Sequence, residues 1–165
     1  ADAIHANNIK RVIRALEFYH LSGKRISEHN EKEREKTSPY HFAYFVLTDE
    51  RPHLYANIDK RVDLMIEQGL VDEVQKLKNM GFHRDMVSMQ GLGYKEILDY
   101  LDGKTTLEEA IYIIKRETRH FAKRQLTWFR RERDVIWLDK QAYDYQDAKI
   151  LDSMINILKE KTIIN

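Results

Sequence analysis

Thr106-Leu107-Glu108-Glu109-Ala110-Ile111-Tyr112-Ile113-Ile114-Lys115-Arg116-Glu117-Thr118-Arg119-His120-Phe121-Ala122-Lys123-Arg124-Gln125-Leu126-Thr127-Trp128-Phe129-Arg130-Arg131 reads as the longest helix of the 165-residue chain. Thr106 with Glu109 forms a capping box, which sets the start. Leu107, Ala110, Ile111, Ile114, Thr118 and Phe121 then recur at helical spacing as a core stripe. In the second half Thr118, Phe121, Gln125 and Trp128 fall near one face, while Arg116, Arg119, Lys123 and Arg130 crowd another. Like charges a turn apart repel by a few tenths of a kcal/mol per pair. Cations at this density therefore call for an anionic counterpart, and Gln125 is an anomaly within an apolar stripe.

The rest of the chain must cover that stripe. Arg51–Gln68 reads as a helix with Pro52 in its first turn and Leu54, Ile58, Val62 and Met65 at helical spacing. Leu70–Met80 is another, and Gly69 and Gly81 sit where left-handed C-terminal caps belong. After a loop from His83 to Ser88, Met89–Glu96 turns into a short helix ending at Gly103. Upstream, Phe42-Ala43-Tyr44-Phe45-Val46-Leu47 is a short apolar run rich in β-formers, the mark of a parallel strand covered on both faces. Val135–Leu138 is a second short strand and candidate neighbour, and Asp147–Lys159 an amphipathic helix.

At the N-terminus, Ala3–Leu21 reads as a helix capped by Asn7 or Asn8 and closed by Gly23, with Ile9, Val12, Ile13 and Leu16 as its buried stripe. Lys10, Arg11 and Arg14 project from the flank. Ser22–Tyr40 is a mobile surface connection, with room for a short helix, that reads as a hinge. The fold class is α/β, mostly helical, with one or two short strands.

Composition narrows the function classes. Hydrophobic residues make up 42% and charged residues 33%, a soluble globular balance. No apolar run approaches the roughly 20 residues of a membrane span, and no signal pattern opens the chain, which places it in the cytoplasm without a membrane partner. The absence of Cys excludes disulfides, thiolate nucleophiles and Cys-based zinc sites. Net charge is +1, but the cations cluster in Lys10–Arg14 and Lys115–Arg133, and clustering governs phosphate binding. A start at Ala1 without Met reads as a cut inside a larger protein.

None of the 7 His residues shows His-Glu-x-x-His spacing, no Ser sits in a nucleophile elbow, and no Gly-rich loop suits a triphosphate. No catalytic or metal residue is therefore assigned. Gly91-Leu92-Gly93 before Tyr94 and Lys95 is either a tight turn or a backbone approach that favours phosphate. Lys10, Arg11 and Arg14, then Gln90, Tyr94 and Lys95, then Lys123, Arg124, Gln125, Trp128 and Arg130 combine cations with amides and aromatics, the mixture that binds unpaired RNA bases. The competing readings are solvated basic faces and, for Trp128 and Phe129, core packing.

The runs Ala3, His5 and Asn7 with Lys10-Arg11-Val12-Ile13-Arg14-Ala15-Leu16-Glu17, then Leu54-Tyr55, Arg61-Val62-Asp63-x-Met65, Gly93-Tyr94-Lys95-Glu96 and Thr118-Arg119-x-x-Ala122-Lys123-Arg124-Gln125-x-Thr127-Trp128-Phe129-Arg130 share an order and spacing. Together they resemble the tRNA dimethylallyltransferases, or tRNA isopentenyltransferases, over nearly the whole chain. The last run is the most specific.

The resemblance implies a P-loop kinase-like fold of which this chain is the mostly helical C-terminal portion. Residues 1–40 would be the end of a helical tRNA-binding insertion and a hinge, and residues 41–165 the C-terminal part of the core transferase domain. It implies transfer of a dimethylallyl group from dimethylallyl diphosphate to the exocyclic amine of the adenosine 3′ of the anticodon, giving isopentenyladenosine, with the target base flipped out. Implied tRNA contacts are Lys10, Arg11 and Arg14, then Gln90, Gly91, Leu92, Gly93, Tyr94 and Lys95, then Lys123, Arg124, Gln125, Leu126, Thr127, Trp128, Phe129 and Arg130. Arg119, Lys123 and Arg124 would lie near the diphosphate. Implied partners are the tRNA anticodon stem-loop, dimethylallyl diphosphate and the absent N-terminal P-loop half, with Mg2+ held outside this chain and the intact protein a monomer.

Three departures stand out. The P-loop, the general-base Asp and the threonine-bearing motif are absent, so the chain alone should be inactive. Asn57 stands where the pattern has Arg, which puts one anion contact in doubt. Ala6 and Asn8 replace Pro and Asp, leaving a competent cap. The alternative classes are a non-catalytic helical RNA-binding module and a helical interaction domain with solvated basic faces.

Overall fold

In the computed structural model, which describes residues 8–164, Asn8 opens a helix as a cap. Its side-chain oxygen accepts the Arg11 N–H at 3.4 Å, and helix α1 runs Ile9–Ser22 until Gly23 ends it. The alternative cap Asn7, and the expected helical residues from Ala3 onward to it, lie outside the described residues. The stripe expected to be buried is not: Ile9, Ile13 and Leu16 are 66%, 48% and 54% exposed, and Val12 is half-buried. The amphipathic spacing is real, but no described element covers it.

The segment read as a mobile connection contains a second helix, α2, over Ile26–Glu35. Its sequence lacks an apolar stripe, and propensity with local ion pairs such as Arg25–Glu28 supports it instead. Phe18 and His29 meet with ring centroids 5.0 Å apart, joining the two helices. The chain divides after His41 into two compact units, Ala1–His41 and Phe42–Asn165.

The second unit holds a two-stranded parallel sheet and a helical cluster. Strand β1 (Tyr44–Thr48) pairs with β2 (Val135–Asp139) in a register that sets Tyr44 beside Val135 and Thr48 beside Asp139. The coverage expected on both faces is incomplete. Val46 and Leu138 are buried, whereas Leu47 and Trp137 remain exposed, because only two strands are present among the described residues.

Between the strands come α3 (Arg51–Glu67), α4 (Leu70–Asn79), a 3-10 turn (Val87–Gln90), α5 (Tyr94–Leu101) and α6 (Leu107–Phe129). Pro52 lies in the first turn of α3, where its missing N–H costs nothing. Gln68 and Gly69 turn the chain from α3 into α4, and a Cβ would oppose the φ of 97° at Gly69 by about 1–2 kcal/mol. Helix α6 starts as its capping box dictates, with Thr106 Oγ1 accepting the Glu109 N–H at 3.1 Å and the Glu109 carboxylate accepting the Thr106 N–H at 2.9 Å.

Val62, Leu70, Val74, Met89, Ile97, Leu98, Ala110 and Ile114 close the core of this cluster. From α6 it takes Leu107, Ala110, Ile111 and Ile114 and nothing further along. Phe121, expected in the core stripe, is 48% exposed, and Trp128 is 53% exposed. At about 1.5 Å per residue, the 23-residue α6 outruns the 17-residue α3 and the shorter α5 that pack against it. Helix α7 (Asp147–Glu160) follows β2 through a 3-10 turn and buries Ile150.

This division of α6 is measurable. Ile114→Ala should cost about 2–5 kcal/mol in urea unfolding, whereas Phe121→Ala should stay within about 1 kcal/mol of the parent. Comparable losses for both would show that α6 is buried along its whole length.

Candidate nucleic-acid interface

The cations of α6 sort into two groups along the helix. Asp59 and Asp63 stand one turn apart on α3, as Lys115 and Arg119 do on α6, and the two pairs interlock. Lys115 Nζ lies 2.6 Å from Asp63 Oδ1, and Arg119 Nη1 donates to both Asp59 oxygens at 2.7 Å. Arg116 reaches Glu117 at 2.9 Å and lies 5.9 Å above the Tyr112 ring. Past that point the carboxylates stop. Lys123 and Arg130 are exposed and form no ion pair with a described residue, and Arg124 rests on the Phe121 ring at 5.8 Å.

The anionic counterpart required by the charge density is thus internal for the first half of the helix and missing for the second. Of the three residues assigned near a diphosphate, Arg119 already has one guanidinium nitrogen engaged by Asp59, while Lys123 and Arg124 have no carboxylate partner among the described residues.

Phe121, Gln125 and Trp128 continue the face that is buried earlier in α6, and all three are exposed. Core packing therefore does not account for Trp128. Phe129 is half-buried: its ring meets Trp128 at 5.1 Å and Tyr44 of β1 at 6.1 Å, both edge-on, which ties the end of α6 to the sheet. Leu126 is half-buried beside it. Thr127 Oγ1 donates back to the Lys123 carbonyl at 2.9 Å, so this hydroxyl proton is engaged within the helix.

The Gln90–Lys95 segment is a built turn. Gln90, Gly91 and Leu92 are exposed between two buried residues, Met89 and Gly93. Gly93 takes φ 105°, and its N–H donates to the Glu96 carboxylate at 2.8 Å. The helix start that reads from sequence as favourable to phosphate thus carries a carboxylate of its own. The Tyr94 hydroxyl donates to Glu73 on α4, which with burial raises its pKa, and Lys95 Nζ lies 3.4 Å from Glu96. Glu96 belonged to a motif noted in the sequence but had no role; its spacing from Gly93, as in a capping box, was the available signal.

In the first unit Lys10, Arg11 and Arg14 are all exposed and form no ion pair with a described residue. No group of three or more His, Asp or Glu side chains among the described residues is placed to hold a metal ion. No described helix is long and apolar enough to cross a membrane.

At the carboxyl end of β1, Asp49 gathers a set of contacts that sequence reasoning missed, because its partner Tyr145 is remote in the chain. Asp49 accepts from the Glu50 N–H at 2.8 Å and the Tyr145 hydroxyl at 3.1 Å, and bonds the ring of His53. Asn57 lies 3.5 Å from the same ring nitrogen. Burial pushes the Asp49 carboxyl up, but the bonds from His53, Tyr145 and Glu50 outweigh it and hold the pKa below the ordinary carboxylate value.

Fold and interface together define the class: a mostly helical α/β chain whose longest helix presents an open cationic and aromatic face. The family model for IPP transferase matches residues 1–132, and the chain belongs to that family. It is 61% identical to the tRNA dimethylallyltransferase of Lachnoclostridium phytofermentans, over 99% of this chain and 52% of that protein. To the enzyme of the same name from Acetivibrio thermocellus it is 50% identical, over 93% of this chain and 49% of the relative. The crystal structure of the full-length tRNA isopentenylpyrophosphate transferase from Bacillus halodurans superposes with a TM-score of 0.69 at 46% identity, covering 98% of this chain and 49% of that one. The chain spans about half the length of the curated relatives it matches. The mostly helical α/β assignment, as a piece of a P-loop-like fold, is borne out.

The Asp49 cluster has a defined pH signature. A carboxyl with a lowered folded pKa contributes fully above its unfolded value of about 3.9 and loses the contribution as pH falls through the lowered value. Asp49→Asn should cost about 1–3 kcal/mol at pH 7, and its gap to the parent should close on acidification below about pH 4. A gap unchanged down to strong acid would remove the carboxylate's charge from the explanation.

Proposed function

We propose that this chain is the C-terminal, tRNA-facing half of a tRNA dimethylallyltransferase acting in the cytoplasm as a monomer. In that reaction the exocyclic nitrogen of the adenosine 3′ of the anticodon attacks the dimethylallyl carbon bearing the diphosphate. A C–N bond forms, the C–O bond breaks, diphosphate leaves with the bonding electrons, and the nitrogen loses a proton. The first unit is the end of the tRNA-gripping insertion, and the second is part of the transferase core. The general base, the P-loop and the magnesium ligands belong to the remainder of the protein, so this chain binds and orients.

One observation carries the reading: on a member of this family, Lys123, Arg124 and Arg130 are interleaved with exposed Phe121, Gln125 and Trp128, without the carboxylates that neutralise the first half of the helix. A base stacked on an aromatic ring contributes about 1–3 kcal/mol. Cations without internal partners add phosphate contacts, each of which steepens the salt dependence of binding. Lys10, Arg11 and Arg14 supply the same chemistry from the first unit, with Arg14 clamping beside the flipped base. In this reading Lys123 and Arg124 reach the diphosphate as well.

The test uses the full-length protein containing this chain. An anticodon stem-loop should bind better than an unrelated hairpin at fixed salt, and Lys123→Ala and Arg14→Ala should each lower the salt slope by about one. Dimethylallyl diphosphate should yield isopentenyladenosine in that stem-loop. Equal binding of both hairpins, unaffected by either substitution, would refute RNA recognition. Selective binding without prenyl transfer would leave the non-catalytic module in its place.

A further inference from the structure

We infer that Glu96 is a positioning residue, a buried carboxylate that holds the exposed Gln90–Leu92 turn in the shape that meets an unpaired RNA loop. The inference deepens the RNA-facing reading above and rests on it.

Glu96 is the charged residue buried most completely among the described residues, at 5% exposure. A carboxylate removed from water is costly unless it is hydrogen-bonded or paired. Here it accepts the Gly93 N–H at 2.8 Å, and Lys95 Nζ lies 3.4 Å away on the other oxygen. The acceptor is matched to a specific backbone shape. Gly93 holds φ 105° and ψ −54°, a combination disfavoured for residues with a Cβ. The Glu96 bond therefore fixes the direction in which the chain enters α5.

The other end of the turn is fixed by Met89, 1% exposed in the core of the helical cluster. Between these anchors Gln90 and Gly91 are exposed, and Leu92 is 37% exposed. A three-residue turn held at both ends presents its amide and apolar side chains in one arrangement. Released at the Gly93 end, it samples several, and apparent affinity falls with the fraction that remains competent. The carboxylate also answers the positive end of α5 internally, so the turn's side chains, and not the helix terminus, make the contact.

The experiment is a double-mutant cycle in the full-length protein, read by binding of a labelled anticodon stem-loop. Glu96→Ala should weaken binding about tenfold. Glu96→Gln, which keeps an oxygen for the Gly93 N–H without its charge, should lose about threefold. Gln90→Ala added to Glu96→Ala should bring no further loss, because the turn is already displaced. If Glu96→Ala does not fold, the same cycle is run with Glu96→Gln, and coupling to Gln90 supports the inference. Additive losses in either cycle, or binding by Glu96→Ala within twofold of the parent while the Gly93 amide exchanges faster, would overturn it and leave Glu96 a purely structural cap. Failure of the parent protein to select the stem-loop would instead overturn the RNA-facing reading and this inference together.

Discussion

The structure depends on a mismatch of length: α6 runs for 23 residues beside helices too short to cover it. Its first half can therefore be buried and ion-paired, and its second half cannot be covered in the same way. The hydrophobic cluster ends with Ile114, and the carboxylates of α3 reach no further than Arg119. Beyond them the same helical face continues with Phe121, Gln125 and Trp128 in the open. A single sequence period thus produces a core on one stretch of helix and an exposed face on the next.

The electrostatics follow from that division. Lys115 and Arg119 are matched by Asp63 and Asp59 across helices that already touch, so these contacts fasten α3 to α6. They are partly exposed, and each ion pair contributes on the order of 1 kcal/mol or less. The cations beyond them, Lys123, Arg124 and Arg130, have no carboxylate partner among the described residues. Aromatic packing continues only through Phe129, whose edge contact with Tyr44 steadies the end of the helix against the sheet without covering Trp128.

Much of the architecture was legible because local signals were strong. The Thr106 and Glu109 capping box, the Gly69 turn and the two short β-rich runs each specify backbone shape over a few residues. The α2 helix was harder to read, since a charged segment with no apolar stripe carries no periodic signal. Burial was the weakest inference. Ile9, Ile13, Leu16, Phe121 and Trp128 all sit at core-like spacing, yet spacing says only which residues share a face, and whether that face is covered depends on elements far away in sequence.

The site shows the same boundary. The sequence by itself determined which residue types gather on α6, the resemblance carried by Lys123–Arg130, and the turn at Gly91–Gly93, because composition, order and glycine placement are local properties. Tertiary structure decided which cations are neutralised and which remain open, and that Asp49 draws Tyr145 to the carboxyl end of β1. Those outcomes rest on distances between residues that are 60 or 96 positions apart in the chain, as Asp59 is from Arg119 and Asp49 from Tyr145, and only folding brings them together.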